Sequence, residues 1–326
     1  MSLLSPKSLK PLQSRKNLLA FSAGTDSSAL FFLLHEAEID FDIALVNYHT
    51  RESSSAEATH ARTLAKRYNK KCYIKEVMLP PANFEHEARK IRYAFFEEII
   101  RHHHYDNLLT AHHLNDRLEW FLMQLTKGAG LIEMLGFEEI EEREHYRLTR
   151  PLIHTPKAAL LDYLHEHKHP YFTDETNNDE TYKRNYFRKQ FATPLIEAFH
   201  EGIQKSFRYL QKDKEALFKL RVIKKTGDLI ILERTGDITL DLRQIDKVLK
   251  QMGYLLSAAQ KEEIAEKRDV VISNRFAVVL HEAKIYIAPH VKVTMPKQFK
   301  EACRVAKIPQ KIRPCLYSLD LSPEEI

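Results

Sequence analysis

The stretch Leu18–Leu34, "LLAFSAGTDSSALFFLL", decides the fold. A short apolar run gives way to the small and hydroxyl residues Ser22 to Ser28, and a second apolar run follows at once. The first run is typical of a buried strand, and the second, which is apolar on nearly every side, is typical of a buried helix. The first amides of such a helix have no partner within it, and its dipole favours negative charge beside them. The stretch therefore predicts an anion-binding corner between a strand and a helix.

The same alternation of strand and helix continues along the first half of the chain. Strands are predicted at Leu18–Phe21, Ile43–His49, Cys72–Val77 and Asn107–His113. Helices are predicted at Ser27–Glu36, Ser54–Asn69, Glu85–His102, Leu114–Thr126 and Pro156–Lys168, the last with Thr155 as its N-cap. This order predicts an α/β fold with a Rossmann-like, doubly wound parallel sheet, whose ligands bind beyond the carboxyl ends of the strands.

Charge separates the C-terminal part from the rest. Residues 201–326 contain 24 Lys and Arg against 17 Asp and Glu, which favours a polyanionic partner. We expect a first domain at residues 1–200, a helical linker at 201–220 and a smaller mixed α/β domain at 221–326. Within the last, "DLIILERTGDITLDL" (Asp228–Leu242) predicts a hairpin that turns at Thr235–Asp237.

Composition indicates a cytoplasmic protein without a membrane partner. Hydrophobic residues make up 44% of the 326, yet no apolar run reaches membrane-spanning length, and the opening residues lack a signal-peptide core. Cys72, Cys303 and Cys315 are too widely spaced to form a CxxC pair or a zinc framework.

The acidic residue of the corner indicates what the anion is. A carboxylate at Asp26 repels a phosphate unless a cation lies between them, and Mg²⁺ carried by a nucleotide's phosphates supplies that cation. The segment "SAGTDS" (Ser22–Ser27) resembles the SGGxDS signature of the PP-loop ATP pyrophosphatases. These enzymes cut ATP between its α and β phosphates and pass AMP to an oxygen of the substrate. Ala23 replaces the first glycine, a change that costs about 1–2 kcal/mol if the position requires a positive φ.

A second segment indicates which family of PP-loop enzymes the chain resembles. "AHHLNDRLEWFLMQLTKGAG" (Ala111–Gly130) resembles the AHHxDDQxET…RGxG segment of the tRNA(Ile)-lysidine synthetases, which are PP-loop enzymes. Asp116 and Glu119 are three residues apart and so share one helix face, where two carboxylates could hold an ammonium ion. Asn115 and Arg117 depart from the family pattern, which has Asp and Gln there.

Further matches follow in the family's order. "EARKIRY" (Glu87–Tyr93), "RPL" (Arg150–Leu152) and "VNYHTR" (Val46–Arg51) resemble segments of the same family. "DETNNDETYKRNYFR" (Asp174–Arg188) is similar to its DxSNxxxxxxRNxxR pattern, matched by Thr176, Asn177, Arg184, Asn185 and Arg188. The resemblance covers residues 18–195 well and the remainder loosely.

The resemblance implies a reaction in which ATP adenylates the C2 oxygen of the wobble cytidine of a tRNA(Ile) with a CAU anticodon. The amine of free L-lysine then displaces AMP and gives lysidine. The implied catalytic residues are Asp26, Asp116, Glu119 and Arg184, and the implied lysine-binding pair is Asp116 and Glu119. ATP would contact Ser22, Ala23, Gly24, Thr25, Asp26, Ser27, Asn47 and His49. Asp26 would hold Mg²⁺ through ATP, and phosphates of ATP or RNA would contact Arg89, Arg92, Arg150 and Arg188. Residues 1–200 would then be the ATP-binding catalytic domain and residues 221–326 the tRNA-binding domain.

Two other functions fit parts of the pattern. A PP-loop tRNA thiolase is the nearest rival enzyme, and a catalytically silent ATP- or tRNA-binding module would explain Ala23, Asn115 and Arg117. The sequence leaves the oligomeric state open, with a homodimer among the options.

Overall fold

The computed structural model describes residues 3–49, 53–79, 84–173 and 183–326, and these form two compact units. The first unit is Met1–Gln211 and the second is Lys212–Ile326. The boundary between them lies inside the long helix Thr193–Leu217, within the segment 201–220 that we expect to link two domains.

The first unit is built on a sheet whose order is β3-β2-β1-β4-β6-β5 in the described residues. Its strands are β1 (Asn17–Ala20), β2 (Asp42–Asn47), β3 (Cys72–Glu76), β4 (Asn107–Leu109), β5 (Ile140–Glu142) and β6 (Arg147–Thr149). All neighbouring pairs are parallel except β5 and β6. The predicted doubly wound sheet is thus confirmed, with an antiparallel strand added at one edge.

The helices described up to residue 217 are α1 (Pro6–Leu9), α2 (Thr25–Glu36), α3 (Ser53–Arg67), α4 (Phe84–His103), α5 (Leu114–Leu125), α6 (Leu131–Leu135), α7 (Lys157–Glu166), α8 (Lys183–Phe187) and α9 (Thr193–Leu217). Helices α2, α3 and α7 pack on one face of the sheet and α4 packs on the other, whereas α5, α6 and α9 share a separate buried cluster. Because successive side chains of a strand point to opposite faces, β1 contributes Leu19 to the core beneath α2, α3 and α7, and Leu18 to the core beneath α4. Both faces of the central strand are therefore buried, as its unbroken apolar sequence predicts.

Helix α7 begins slightly later than the sequence predicts. Its first residue is Lys157, and Pro156 takes the N-cap position. The hydroxyl of Thr155, expected to cap the helix, instead donates to the carbonyl of Leu3 at 2.5 Å. The predicted N-cap is wrong because the Thr155 hydroxyl forms its hydrogen bond with the N-terminal segment and not with an amide of α7.

The N-terminal segment is anchored by one buried carboxylate. Glu139 accepts hydrogen bonds from the hydroxyls of Ser5 (2.5 Å) and Ser8 (2.6 Å) on one oxygen, and its other oxygen lies 3.3 Å from His154 Nε2. Burial raises the pKa of Glu139, but these three partners lower it by more, to about 2. Folding therefore stabilises the charged form of Glu139 relative to its protonated form.

We expect a Glu139→Gln variant to lose about 2–3 kcal/mol of folding free energy at neutral pH. Because the pKa of Glu139 is lowered on folding, this contribution is complete above the ordinary value of 4.5 and disappears as the pH falls towards 2. Urea unfolding at neutral pH and near pH 3 measures the difference between variant and wild type, which should shrink in acid. The exposed Glu166→Gln is the matched control; a Glu139→Gln difference that stays constant with pH would contradict the assignment.

The second unit is an antiparallel sheet with helices on both faces. Its strands are ordered β7-β8-β11-β10-β9 and comprise β7 (Val222–Thr226), β8 (Leu229–Glu233), β9 (Asp269–Ile272), β10 (Phe276–His281) and β11 (Lys284–Pro289). One core lies beneath α10 (Ile238–Gln251) and α11 (Ala258–Lys267), and the other beneath α12 (Lys297–Val305) and α13 (Arg313–Ser318). This is the smaller mixed α/β architecture that the sequence predicts.

The hairpin predicted for Asp228–Leu242 is wrong. β8 pairs instead with β7, through a turn in which Gly227 has a φ of +54°. The second half of the segment begins α10, whose N-cap Asp237 accepts from the amides of Thr239 and Leu240. The apolar run of this half continues at helical spacing through Ile245, Val248 and Leu249, all buried, and that longer pattern outweighs the short alternation read as a strand.

Within the described part of the chain, no helix combines the length and the apolar character needed to cross a membrane.

Candidate functional site

The candidate site lies where the order of the parallel sheet reverses. The chain proceeds from β1 outward to β2 and β3, then returns to place β4 on the other side of β1. The loops that leave the carboxyl ends of β1 and β4 therefore diverge, and in open α/β sheets a ligand crevice forms at this point. The corner of residues 21–27 follows β1, and the segment 110–119 follows β4.

Serine side chains hold the corner after β1 in shape. Ser27 Oγ donates to the carbonyl of Gly24 at 3.2 Å and accepts from the amide of Ser22 at 3.2 Å. Ser28 Oγ donates to the carbonyl of Ala23 at 3.2 Å. Gly24 is the N-cap of α2 and has no side chain that could accept from the following amides. The amides at the start of α2 therefore receive no hydrogen bond from an N-cap side chain, and amides in this position are able to bind an anion.

Ala23 occupies the conformation for which glycine is usual. Its φ is +60° and its side chain is fully buried. Left-handed backbone costs an alanine about 1–2 kcal/mol relative to glycine, whereas burying its methyl group returns about 0.8 kcal/mol. Burial therefore offsets part of the strain and leaves a net cost of about 0.2–1.2 kcal/mol, which is small enough for the corner to form despite the departure from the SGGxDS signature.

Asp26 projects from the first turn of α2 into the crevice. Its Oδ2 lies 3.5 Å from His113 Nε2 and 3.7 Å from Lys157 Nζ. Burial raises the pKa of Asp26, but the hydrogen bond and charge of His113 and the charge of Lys157 lower it by more. The carboxylate is therefore ionised, and its buried Oδ1 has no hydrogen-bond partner among the described residues.

His113 joins the two loops. Its Nε2 lies 3.4 Å from Asp116 Oδ2 as well as 3.5 Å from Asp26 Oδ2. Burial lowers the pKa of His113, but the two carboxylates raise it by more. His112 behaves differently: burial and nearby arginines lower its pKa to about 3, so it is neutral, and its Nδ1 lies 2.9 Å from Thr110 Oγ1. Of the two histidines, only His113 thus bridges the carboxylates of the two loops.

Asp116 and Glu119 lie on one buried face of α5, and two arginines contact them. Arg184 Nε donates to Glu119 Oε1, and its Nη2 lies 3.2 Å from Asp116 Oδ1. Arg188 Nε donates to Glu119 Oε2 at 2.9 Å and its Nη2 lies 3.7 Å from Asp116 Oδ1. Burial raises the pKa of Asp116, but His113 and the other nearby cations hold it well below its ordinary value. The structure thus brings Asp26, Asp116, Glu119, Arg184 and Arg188 into one cluster of charged side chains, connected through His113.

The two departures from the family pattern on α5 have structural roles. Asn115 Oδ1 accepts from the amide of Lys157 at 3.0 Å and so holds the start of α7. Arg117 is buried, with its guanidinium 4.4 Å from the centre of the Phe207 ring, and burial lowers its pKa to about 10.

Arg188 begins a five-residue π-helical turn, Arg188–Ala192, which precedes α9.

The remaining predicted residues are more scattered. Asn47 ends β2, next to β1, and its Oδ1 accepts from the amide of His49 at 3.0 Å. Arg89 and Arg92 are exposed on α4, and Arg89 lies near enough to His112 to lower the pKa of His112.

Arg150 is buried; it donates to the carbonyl of Glu138 at 2.6 Å and lies 3.2 Å from Glu141 Oε2. Its guanidinium is thus engaged by the chain itself, which favours a structural role over the phosphate contact that the sequence suggests.

Parts of two predicted segments lie outside the described residues. They are residues 50 and 51 of "VNYHTR", and residues 174–182 of the Asp174–Arg188 segment, which include Asp174, Thr176 and Asn177. Lys157, by contrast, is beside Asp26 although the sequence interpretation gives it no role. No motif marks it, and only its position at the start of α7, five residues after Leu152 of "RPL", could have suggested it.

The described residues contain no group of three or more His, Cys, Asp or Glu side chains placed to hold a metal ion. The cysteines are dispersed as well. Cys72 lies in β3, where burial raises the pKa of its thiol to about 11, and Cys303 and Cys315 are buried in the second unit. Burial raises the pKa of all three thiols.

Comparisons with known proteins identify the family of this chain. A family model described as a PP-loop domain matches residues 4–195. A tRNA(Ile)-lysidine synthase of Helicobacter pylori is 44% identical over 313 residues, 95% of this chain and 92% of its own, and that of Wolinella succinogenes is 45% identical over 93% of each chain. Among solved structures, the U34-tRNA thiolase NcsA of Methanococcus maripaludis superimposes with a TM-score of 0.51 at 17% identity, covering 64% of this chain and 75% of its own; this likeness shows the fold alone. The chain therefore belongs to the tRNA(Ile)-lysidine synthase family of PP-loop proteins.

Proposed function

We propose that this protein is a tRNA(Ile)-lysidine synthase. It uses ATP to adenylate the C2 oxygen of the wobble cytidine in a tRNA(Ile) with a CAU anticodon, and free lysine then displaces AMP. The products are lysidine in the RNA, AMP and diphosphate. The observation that carries the proposal is a cluster of charged groups, in which Asp26 of the corner after β1 lies 3.5 Å and the buried Asp116 of α5 lies 3.4 Å from His113 Nε2.

The corner after β1 is the proposed ATP site. The amides of Thr25, Asp26 and Ser27 would bind phosphate oxygens, while Ser22, Ala23 and Gly24 shape the loop and Asn47 and His49 lie at the neighbouring strand end. Asp26 would hold Mg²⁺ together with the phosphates, because its buried Oδ1 has no partner among the described residues. Bound there, the ion would offset the phosphate charge.

We expect a Gly24→Ala variant to fold normally and to bind ATP about tenfold or more weakly. The φ of Gly24 is −74°, and an added Cβ would meet only Ser22 Oγ, at 3.4 Å. Neither strain nor packing requires glycine here, so the space is left for the close approach of phosphates to the backbone. Isothermal titration with ATP and urea unfolding measure the two effects.

Gly202→Ala is the matched control, because an added Cβ there would meet nothing within 4 Å. It lies within α9 and should leave ATP affinity unchanged. If Gly24→Ala binds ATP as tightly as wild type, phosphates do not approach this backbone.

The buried carboxylates of Asp116 and Glu119 are the proposed lysine site. Both oxygens of Glu119 are engaged by Arg184 and Arg188, so the substrate ammonium would replace an arginine contact rather than enter an empty site. The arginine thus released could bind an RNA phosphate. A carboxylate of this group could accept the proton that the attacking amine must lose.

The tRNA would contact both units of the chain. Arg89 and Arg92 are exposed on α4, and a base in an anticodon loop is unstacked and free to enter a pocket. Methionine tRNAs also carry a CAU anticodon, so discrimination requires contacts outside it. The basic C-terminal part, with 24 basic and 17 acidic residues at 201–326, is the region we assign to those contacts.

A single assay tests the proposal. The protein is incubated with Mg-ATP, labelled lysine and a tRNA(Ile) transcript with a CAU anticodon, and both label in the RNA and free diphosphate are measured. Lysine in the RNA is the expected result. Diphosphate release without lysine in the RNA would indicate that a nucleophile other than lysine displaces AMP, such as the sulfur of a thiolase reaction, and neither product would indicate a binding module.

A further inference from the structure

A lysine outside every motif completes the proposed ATP corner. Lys157 is the first residue of α7, and its Nζ lies 3.7 Å from Asp26 Oδ2. Its side chain is 38% exposed, so a ligand bound beside Asp26 can contact the ammonium group. Lys157 belongs to neither of the two motifs that carry Asp26 and Asp116.

Two helices direct their N-termini at this point. α2 and α7 pack side by side in the same direction, since Asp26 meets Lys157 near their starts and Glu36 accepts from the hydroxyl of Tyr163 at 2.5 Å near their ends. The dipoles of both helices therefore favour negative charge at the corner, in addition to the ammonium group.

The start of α7 is held from two sides. The amide of Lys157 donates to Asn115 Oδ1 at 3.0 Å, and the amide of Leu114 donates to the carbonyl of Thr155 at 3.0 Å. Lys157 is thus tied to the same helix that carries Asp116 and Glu119, and its position relative to the crevice is fixed before any ligand binds.

One buried polar atom beside the lysine points to a missing ligand. Among the described residues, Asp26 Oδ1 has no hydrogen-bond partner, although Oδ2 of the same carboxylate lies 3.7 Å from Lys157 Nζ. Since buried polar atoms are normally partnered, this oxygen is free to contact a ligand bound beside the lysine.

We propose that Lys157 Nζ binds the diphosphate end of ATP and stabilises diphosphate as it leaves; this rests on the function proposed above. When the C2 oxygen of the cytidine bonds to the α phosphorus, the bond from that phosphorus to the bridging oxygen breaks. The electron pair remains on the diphosphate oxygen, and the ammonium group, still protonated, lies close to the growing negative charge. Lys157 is thus a contact of the leaving group and not of the nucleoside.

The test compares three ligands on one variant. Isothermal titration in the presence of Mg²⁺ gives the affinities of wild type and Lys157→Met for ATP, inorganic diphosphate and AMP. We expect Lys157→Met to bind ATP and diphosphate about tenfold or more weakly and AMP with unchanged affinity. Lys157→Arg should restore most of the loss, and Lys168→Met, just beyond the other end of α7, should have no effect.

Each other outcome overturns the inference. Equal losses for ATP and AMP would place Lys157 at the α phosphate or show that the site is disrupted, and unchanged ATP affinity would remove Lys157 from the site. A wild-type protein that binds no ATP would refute the proposed function itself, which separates that failure from the failure of this inference.

Discussion

An Asp26→Asn variant is expected to lose RNA adenylation by about 10²–10³-fold while keeping its fold. The carboxylate lies 3.5 Å from His113 Nε2 and 3.7 Å from Lys157 Nζ, and its buried Oδ1 is unpartnered within the described residues. Asparagine preserves the shape but removes the charge that a cation on the phosphates requires. Diphosphate release from Mg-ATP in the presence of the tRNA transcript measures the loss.

The control for Asp26→Asn is Asp162→Asn, the same substitution at an exposed site on α7. It should leave diphosphate release unchanged, and circular dichroism should report the same helix content for both variants. An Asp26→Asn variant with wild-type adenylation would remove Asp26 from the cation site.

A Glu119→Gln variant is expected to separate the two half-reactions. Glu119 is 2% exposed, and both of its oxygens contact arginines. Its loss weakens the carboxylate pair proposed for the lysine ammonium, but the ATP corner keeps Asp26, His113 and Lys157. Lysine transfer should therefore fall about a hundredfold, chiefly through KM for lysine, while diphosphate release falls by less than about tenfold.

The kinetics of Glu119→Gln distinguish a Glu119 that contacts the substrate lysine from a Glu119 that only supports the structure. If Glu119 only anchors Arg184 and Arg188, both half-reactions should fall together and KM for lysine should not change selectively. Glu119→Asp keeps the charge and should recover part of the lysine transfer, which a purely steric defect would not allow.

Local sequence patterns correctly predict the strands, helices and turns that carry the candidate site. The corner at Ser22–Ser27 follows from small residues between two apolar runs, and the shared face of Asp116 and Glu119 follows from helical spacing. Both are properties of neighbouring residues, which periodicity describes directly. The parallel sheet follows in the same way from alternating strand and helix patterns.

Contacts between distant segments are beyond such patterns. Arg184 is 65 residues from Glu119 along the chain, and nothing local indicates that it neutralises the carboxylates expected to be free for lysine. The burial of Arg150 and the approach of Lys157 to Asp26 likewise depend on how β6 and α7 pack. The hairpin misread at Asp228–Leu242 has a different cause, because five residues of alternating pattern cannot be told from the first turn of an amphipathic helix.

A crystal structure with a non-hydrolysable ATP analogue, Mg²⁺ and lysine tests the central claim most directly. We predict phosphates on the amides of Thr25–Ser27, with Lys157 Nζ in contact with the terminal pair, and the lysine ammonium against Asp116 and Glu119. A nucleotide bound elsewhere, with the corner after β1 unchanged, would contradict the account.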